Sequence, residues 1–231
     1  MLDVLVIAPH PDDAEFAMGG AILKMKAEGL RVGILDLTDG EPTPFGSKEI
    51  RRRETEAATQ ILGLDWRSNL GLPNRSLEPT LEARAKLAGA LRTTRANCIF
   101  CPYWEDTHPD HTAATQLIEA ARFWAKLTKT DLPGEPFHPQ RVIYYFCTHI
   151  RKIPEPSFVV DISDFWEKKL AAVRCYASQL ANPPSPSGSG ASLEEQIEYR
   201  ARMWGWTVGT QYGEPFAVRE VLRLADFRAI L

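Results

Sequence analysis

The stretch DVLVIAPHPDDAEFAMGG at residues 3–20 joins a short apolar run to a dense group of ionisable side chains. Residues 3–8 predict a buried β-strand, and residues 16–27 predict a helix that ends at Gly29. Placing several ionisable groups directly after a buried strand costs desolvation free energy. Their presence here therefore indicates that a metal or a reaction requires them. The ionisable side chains that follow this strand are His10, Asp12, Asp13 and Glu15.

The order of a strand followed by a helix recurs through the first half of the chain. Strands that alternate with helices form right-handed βαβ units, so the pattern predicts an α/β fold with a Rossmann-like, mostly parallel sheet flanked by helices. Further strands are predicted at residues 31–37, 67–72, 98–101, 141–146, 157–162 and 216–224. Further helices are predicted at residues 48–62, 78–95, 111–125, 165–177 and 193–204.

The length of the chain predicts one domain over residues 1–231, because this length suffices for one sizeable core. The low-complexity stretch NPPSPSGSGA at residues 182–191 predicts a flexible surface loop that is too short to separate two domains. We expect the C-terminal part of the chain to shape the ligand pocket.

The composition argues against several classes of partner. The formal net charge is −3, and the basic residues form no cluster of the kind that binds nucleic acid. No apolar stretch approaches the roughly 20 residues that span a bilayer, so we expect no membrane partner. The N-terminus lacks the basic region of a signal peptide, which predicts a cytoplasmic location.

The pair of cysteines in CIFC, at residues 98–101, matches a C-x-x-C pattern that is typical of zinc or redox sites. Strand alternation would place Cys98 and Cys101 on opposite faces of the sheet, and no second pair completes a four-thiolate site. The pattern therefore favours buried, reduced cysteines.

A second polar loop repeats the His-Pro-Asp motif of the first. EDTHPDH, at residues 105–111, follows the predicted strand 98–101 just as the first polar group follows the strand 3–8. Ligands of open parallel sheets bind at the carboxyl ends of the strands, so the two loops can meet although about one hundred positions separate them. Three of the five histidines of the chain lie in these two loops.

The two loops together supply the ligands of a catalytic metal. His10, Asp13 and His111 form the set of two histidines and one carboxylate that Zn²⁺ uses when one position stays open for water. The same set also suits Fe²⁺ or Co²⁺.

The remaining polar residues of the loops suit acid–base chemistry. Asp12 stands next to a proposed ligand and is free to act as a general base. His108, with Asp110 close enough to orient or charge it, can stabilise a developing oxyanion and protonate a leaving amine. The parts needed to hydrolyse an amide are therefore present.

Other interpretations of these loops remain open. Pro, Asp and His are common in turns and at helix N-caps, so one such loop alone can be an ordinary connection. A metal- or sugar-binding protein without catalysis would need neither Asp12 nor His108. A metal-dependent phosphoesterase usually has more carboxylates or a second metal.

The motifs APHPDDAE and HPDH resemble those of the LmbE-like, PIG-L family of zinc-dependent N-acetylglucosamine de-N-acetylases. The similarity extends through most of the chain, and the bacillithiol-biosynthesis branch has segments like VGILDLTDGEPTPFG, NLGLPNRSL, CYASQL and VGTQYGEPF. The resemblance implies an LmbE-like fold and zinc-dependent removal of acetate from N-acetylglucosaminyl-malate. Another N-acetylglucosamine conjugate or oligosaccharide is the alternative substrate. Similar enzymes form homo-oligomers, often hexamers.

The resemblance also implies a role for individual residues. It implies zinc ligation by His10, Asp13 and His111, catalysis by Asp12, His108 and Asp110, and substrate binding by Arg51, Asn74 and Arg141. Arg51 and Arg141 can alternatively be surface charges, and Asn74 stands where relatives usually carry Asp. A mobile tyrosine of some relatives has no clear match; Tyr212 is a candidate, with a core or interface position as the alternative.

Overall fold

The computed structural model of the chain describes residues 1–181 and 190–223. The predicted flexible loop at residues 182–191 therefore lies outside the described residues, except for its last two positions. The described strands are β1 (Val4–Ala8), β2 (Val32–Thr38), β3 (Trp66–Leu72), β4 (Cys98–Pro102), β5 (Arg141–Tyr145), β6 (Phe158–Asp161) and β7 (Gly213–Ala217). The described helices are α1 (Asp13–Ala27), α2 (Lys48–Leu62), α3 (Leu81–Thr94), α4 (Pro109–Ala125), α5 (Trp166–Arg174), α6 (Ala177–Leu180) and α7 (Leu193–Thr207), with a 3₁₀ turn at Ser163–Phe165.

The described strands form one sheet in the order β3-β2-β1-β4-β5-β7-β6. The first five strands run parallel, while β7 pairs antiparallel with both β5 and β6. The prediction of an α/β fold with a mostly parallel sheet is confirmed. That residues 1–231 form one domain stays a prediction.

Helices cover both faces of the sheet, which is why the central strands β1 and β2 are buried along their whole length. α3 and α4 pack on one face, and α1, α2 and α5 pack on the other. Strand alternation sends Cys98 to one of these cores and Cys101 to the other, and both thiols are free. The interpretation of CIFC as strand cysteines is confirmed.

Several predicted boundaries are wrong, among them the start of α3, which begins at Leu81, and the end of α7, which ends at Thr207. α1 begins at Asp13 and α4 at Pro109, three and two residues before the predicted starts at 16 and 111, because their first turns carry buried polar side chains instead of an apolar repeat. The last strand is β7, which begins at Gly213 and ends at Ala217; the predicted end at residue 224 lies outside the described residues.

The backbone of α1 breaks at Met18, with φ −142° and ψ 22°. The backbone N–H groups of Gly20 and Ala21, just after the break, donate to the carboxylate of Glu214 at 3.0 and 2.6 Å. Nζ of Lys169 in turn lies 2.6 Å from Glu214, and both side chains are only 2% exposed. This buried ion pair therefore joins α1, α5 and β7.

Candidate active site

The two polar loops leave the carboxyl ends of neighbouring strands. β1 and β4 pair in parallel, with Val4 opposite Cys98, so the first loop (residues 9–12) and the second loop (residues 103–108) emerge side by side. The ring centroids of His10 and His111 are 5.4 Å apart. The structure therefore brings together the two motifs that the sequence separates.

Side chains from both motifs converge on Asp13. Its Oδ2 atom lies 3.0 Å from Nδ1 of His10, and its Oδ1 atom lies 3.3 Å from Nε2 of His111. Burial alone would raise the pKa of Asp13, but the charge of His111 and the hydrogen bond from His10 lower it well below its usual value. The carboxylate is therefore ionised, as a metal ligand must be.

The donor set fits a divalent metal ion. One ligand atom from each of His10, His108 and His111 lies within 4.8 Å of the others, and so do ligand atoms of Asp13, His111 and Cys147. Nε2 of His111 is buried and has no hydrogen-bond partner among the described residues. Buried polar atoms normally form hydrogen bonds, and this nitrogen lies 3.3 Å from the Asp13 carboxylate without forming one, which is explained if a metal binds between them. Imidazole and carboxylate ligands suit Zn²⁺, Fe²⁺ and Co²⁺.

Asp106 orients His111, and the sequence analysis missed it. Its Oδ2 atom lies 2.9 Å from Nδ1 of His111, and its Oδ1 atom accepts the backbone N–H of His108 at 2.8 Å. Burial would raise the pKa of Asp106, but the hydrogen bond and charge of His111 lower it. The available signal was its position in EDTHPDH, five residues before His111.

Asp12 has a strained backbone and a perturbed carboxyl group. Its φ of +138° lies in a region that L-residues rarely adopt. Burial raises the pKa of Asp12 to about 7, while the charge of Arg51 opposes this increase. A carboxyl group with a pKa near neutrality is suited to accept and return a proton at neutral pH.

Arg51 is buried, with a side chain only 3% exposed, so its interpretation as a surface charge is wrong. Nη1 donates to the carbonyl of Pro11 at 2.7 Å and to Oδ2 of Asp12 at 2.9 Å. Nη2 lies 3.2 Å from Oε1 of Glu41. Much of its hydrogen-bonding capacity therefore goes to the loop that carries Asp12.

The side chain of Asp110 does not orient His108. Its Oδ2 atom instead lies 3.2 Å from Nε2 of His10 and accepts the backbone N–H of Arg75 at 2.7 Å. Its Oδ1 atom accepts the backbone N–H of Leu77 at 3.2 Å. The predicted side-chain pairing is wrong, because His10 and the backbone of Arg75 and Leu77 occupy this carboxylate, and only the backbone N–H of Asp110 contacts His108.

His108 is the N-cap of α4, and its Nδ1 atom accepts the backbone N–H of Asp110 at 3.2 Å. Burial and the nearby imidazoles of His111 and His10 lower the pKa of His108 to about 4. The ring is therefore neutral at pH 7 and carries its proton on Nε2. Asp110 therefore does not charge this ring, which the motif EDTHPDH had left as one possibility.

A cavity of about 410 Å³ opens over these residues. Arg51 and Asn74, for which the family resemblance implies substrate binding, line it, and their contact with a substrate stays a prediction. The C-terminal part of the chain contributes Gln179, Leu193 and Gln196 to its wall. His149 and Arg151, which follow β5 and were not predicted, also line this cavity.

Arg141 lies away from the cavity. It is the first residue of β5 and pairs with Cys98, the first residue of β4, so it lies at the edge of the sheet opposite the two polar loops. Its predicted place at the site mouth is wrong, because Arg141 begins β5, whereas the site lies where β1 and β4 end.

Tyr212 belongs to the core. Its ring stacks on Trp166 with a centroid distance of 4.2 Å and an interplanar angle of 7°, and it is only 6% exposed. Trp204 is also buried, whereas Trp206 is 80% exposed.

Within the described part of the chain, no helix is both long and apolar enough to cross a membrane.

The fold and the paired loops agree with a comparison against protein families. The family model for GlcNAc-PI de-N-acetylase, PIG-L, matches residues 5–122, just over half of the chain. The chain belongs to this family. The family inferred from APHPDDAE and HPDH is therefore confirmed.

Relatives of this PIG-L family chain are named for deacetylation. The diacetylchitobiose deacetylase of Thermococcus kodakarensis is 31% identical over 91% of the chain and 80% of that protein. A probable N-acetyl-alpha-D-glucosaminyl L-malate deacetylase 2 of Bacillus anthracis is 27% identical over 77% of the chain and 81% of that protein. The prediction that the chain is an enzyme of the amide-hydrolase class is confirmed.

Two further similarities extend this comparison. The crystal structure of the conserved protein TT1542 from Thermus thermophilus superposes with a TM-score of 0.87 and 44% identity, covering 97% of this chain and 98% of that chain. The 4-oxalmesaconate hydratase of Pseudomonas putida is 29% identical over 76% of the chain and 73% of that protein. Relatives of this PIG-L chain thus include a protein named for a different reaction.

Proposed function

We propose that the chain is a zinc-dependent hydrolase that removes the acetyl group from an N-acetylglucosaminyl conjugate and releases acetate and a free amine. The observation that carries this proposal is the arrangement of Asp12 beside the converging His10, Asp13 and His111. Asp12, a buried carboxyl group whose pKa is raised to about 7, directly precedes Asp13, whose carboxylate lies between the rings of His10 and His111 at 3.0 and 3.3 Å.

In this proposal His10, Asp13 and His111 hold the metal ion. Zn²⁺, or alternatively Fe²⁺ or Co²⁺, would lower the pKa of a bound water and polarise the acetamide carbonyl. Asp106 and Asp110 support the site, because each contacts a ring nitrogen of one of these histidines.

Asp12 and His108 move and hold the protons of the reaction. The carboxylate of Asp12 accepts the proton of the attacking water and returns it to the departing nitrogen, which suits a pKa near neutrality. The N–H at Nε2 of His108 hydrogen-bonds the acetamide oxygen as negative charge develops there. Arg51 steadies the ionised form of Asp12 through its contact of 2.9 Å.

The charge of the cavity favours an anionic conjugate, and N-acetylglucosaminyl-malate of bacillithiol biosynthesis is the substrate we propose. Arg75 and Arg151 line the cavity and are exposed, and guanidinium groups pair well with carboxylates. The similarity to the Bacillus anthracis malate deacetylase supports this choice. Asn74 would contact the sugar hydroxyls, since an amide can both donate and accept hydrogen bonds.

The proposal is tested by incubating the metal-loaded protein with N-acetylglucosaminyl-malate and with diacetylchitobiose, and by measuring both acetate and free amine. We expect stoichiometric release of both products, with a higher kcat/KM for the malate conjugate. If neither acetamidosugar releases acetate, the proposed deacetylase activity is contradicted. Faster turnover of diacetylchitobiose would contradict only the choice of substrate.

Hydration of a carbon–carbon double bond is the second candidate, favoured by the similarity to the 4-oxalmesaconate hydratase of Pseudomonas putida. The same protein preparation is therefore assayed with 4-oxalmesaconate, whose hydration removes a conjugated chromophore. Turnover of this compound without any release of acetate would establish a hydratase and reject the deacetylase.

A further inference from the structure

His149 is a histidine of the cavity to which neither the motifs nor the proposed reaction assigns a role. It follows β5, and its ring centroid lies 5.3 Å from that of His108 and 5.6 Å from that of His111. Four of the five histidines of the chain therefore line one cavity, and only His138 lies elsewhere.

The imidazole of His149 differs from the other three in having no hydrogen bond or ion pair to any residue within 1–181 and 190–223. His10, His108 and His111 each use at least one ring nitrogen in a hydrogen bond within the protein. His149 is also exposed, whereas His111 is buried. Its ring nitrogens are therefore accessible to a molecule in the cavity.

The backbone around His149, by contrast, is held firmly. Arg200 of α7 donates to the carbonyl oxygens of Cys147, Thr148 and Ile150 at 3.0, 2.7 and 3.0 Å. The hydroxyl of Thr107, in the second loop, donates to the carbonyl of His149 itself at 2.8 Å. Four consecutive carbonyl groups are thus tied to two other parts of the fold.

A fixed backbone that carries an unpartnered side chain into a cavity is typical of a functional group, since catalysis needs accurate placement of the reacting contacts. A structural histidine in this position would normally use its ring nitrogens within the protein. His149 also does not belong to the groups of described residues whose ligand atoms lie within 4.8 Å of one another. The geometry therefore favours contact with the substrate over metal ligation.

We propose that His149 is a catalytic residue that hydrogen-bonds the acetamide oxygen of the substrate, and that Arg200 is its positioning residue. This inference rests on the proposed deacetylase function. The N–H of the imidazole acts as a second donor beside His108, and its hydrogen bond strengthens as negative charge develops on the oxygen. Arg200 acts through the backbone carbonyls that it holds.

The first test compares His149→Ala and His149→Gln with His138→Gln, all in the metal-loaded protein. We expect kcat of the alanine variant to fall about 10²-fold, the effect of losing one donor to a developing oxyanion. Glutamine should restore part of this loss, because its amide N–H can donate. His138 is exposed and outside the cavity, so its glutamine variant should match the parent. Metal content and the unfolding midpoint should stay unchanged in all three variants.

Three results would overturn the role of His149. They are a parent-like kcat in His149→Ala, a raised KM with kcat unchanged, and a loss of bound metal, which would make His149 a ligand. If the unsubstituted protein releases no acetate, the proposed function fails first, and the two failures are thereby distinguishable.

The second test concerns Arg200, with Arg202 of the same helix as the matched control. Arg202 forms an ion pair with Glu198 and lies over the ring of Tyr212, and it does not bond the carbonyls that Arg200 holds, so Arg202→Gln should leave kcat at the parent value. Arg200→Lys keeps the charge but loses the forked guanidinium that bonds several carbonyl oxygens. We expect it to lower kcat, as His149→Ala does, although by less. The double variant Arg200→Lys, His149→Ala should have nearly the same kcat as His149→Ala alone. Fully additive losses of kcat would overturn the positioning role of Arg200.

Discussion

Oδ2 of Asp106 lies 2.9 Å from Nδ1 of His111, and this contact leaves Nε2 of the same ring facing Asp13 at 3.3 Å. A carboxylate that holds the outer nitrogen of a ligating histidine fixes the orientation of the ring and increases its basicity. In the proposed metal site, Asp106 would thus orient His111 as a ligand.

Replacing Asp106 should therefore weaken metal binding. We expect Asp106→Ala to reduce metal affinity about 10–100-fold, measured by competition with a chromogenic chelator. Asp106→Asn should lose less, because its amide oxygen can still accept a hydrogen bond. The matched control is Glu105→Gln, which removes an exposed carboxylate at the neighbouring position. Equal affinity in Asp106→Ala and the parent would contradict the orienting role.

Asp12→Asn should separate catalysis from metal binding. The amide cannot accept the proton of water, so kcat should fall about 10²–10⁴-fold, the range of a general base. Metal content should stay at the parent level, because Asp13, not Asp12, is the proposed ligand. Asp39→Asn is the control, since Asp39 pairs with the exposed Lys48 at 2.7 Å. Parent-like activity of Asp12→Asn would refute the assignment of the base.

Removal of the metal should abolish activity and reduce stability together. A ligand that binds only the folded state at one hundred times its Kd adds about 2.7 kcal/mol to the free energy of unfolding. We expect dialysis against a chelator to lower the unfolding midpoint, and added Zn²⁺ to restore both midpoint and turnover. His111→Ala should show the low midpoint whether or not metal is added. Full activity after verified metal removal would contradict the proposed chemistry.

The ion pair between Lys169 and Glu214 should be important for stability. Lys169→Met leaves the buried carboxylate of Glu214 without its cation, which typically costs about 3–5 kcal/mol of unfolding free energy. Lys168→Met changes the adjacent, exposed lysine and should alter stability by less than about 0.5 kcal/mol. Urea unfolding of the two variants measures the difference. Equal stabilities would show that the remaining N–H donors of α1 suffice for Glu214.

The sequence determined those features that depend on neighbours along the chain. Alternation of apolar runs identified β1, β2 and β4 and the helices between them, because burial imposes the repeat of a strand or a helix on consecutive residues. The two His-Pro-Asp loops were recognisable for the same local reason. Their convergence followed from the rule that parallel strands end at one edge of a sheet.

Only the tertiary structure decided which side chain meets which. Asp110 contacts His10 rather than His108, Arg141 begins β5 at the far edge of the sheet, and His149 reaches the cavity from the end of that strand. Each outcome depends on chain segments that are distant in sequence, since hydrogen-bond partners and strand ends become neighbours only when the sheet forms. Local pattern therefore sufficed for the elements and the motifs, while the partners of each polar group required the assembled fold.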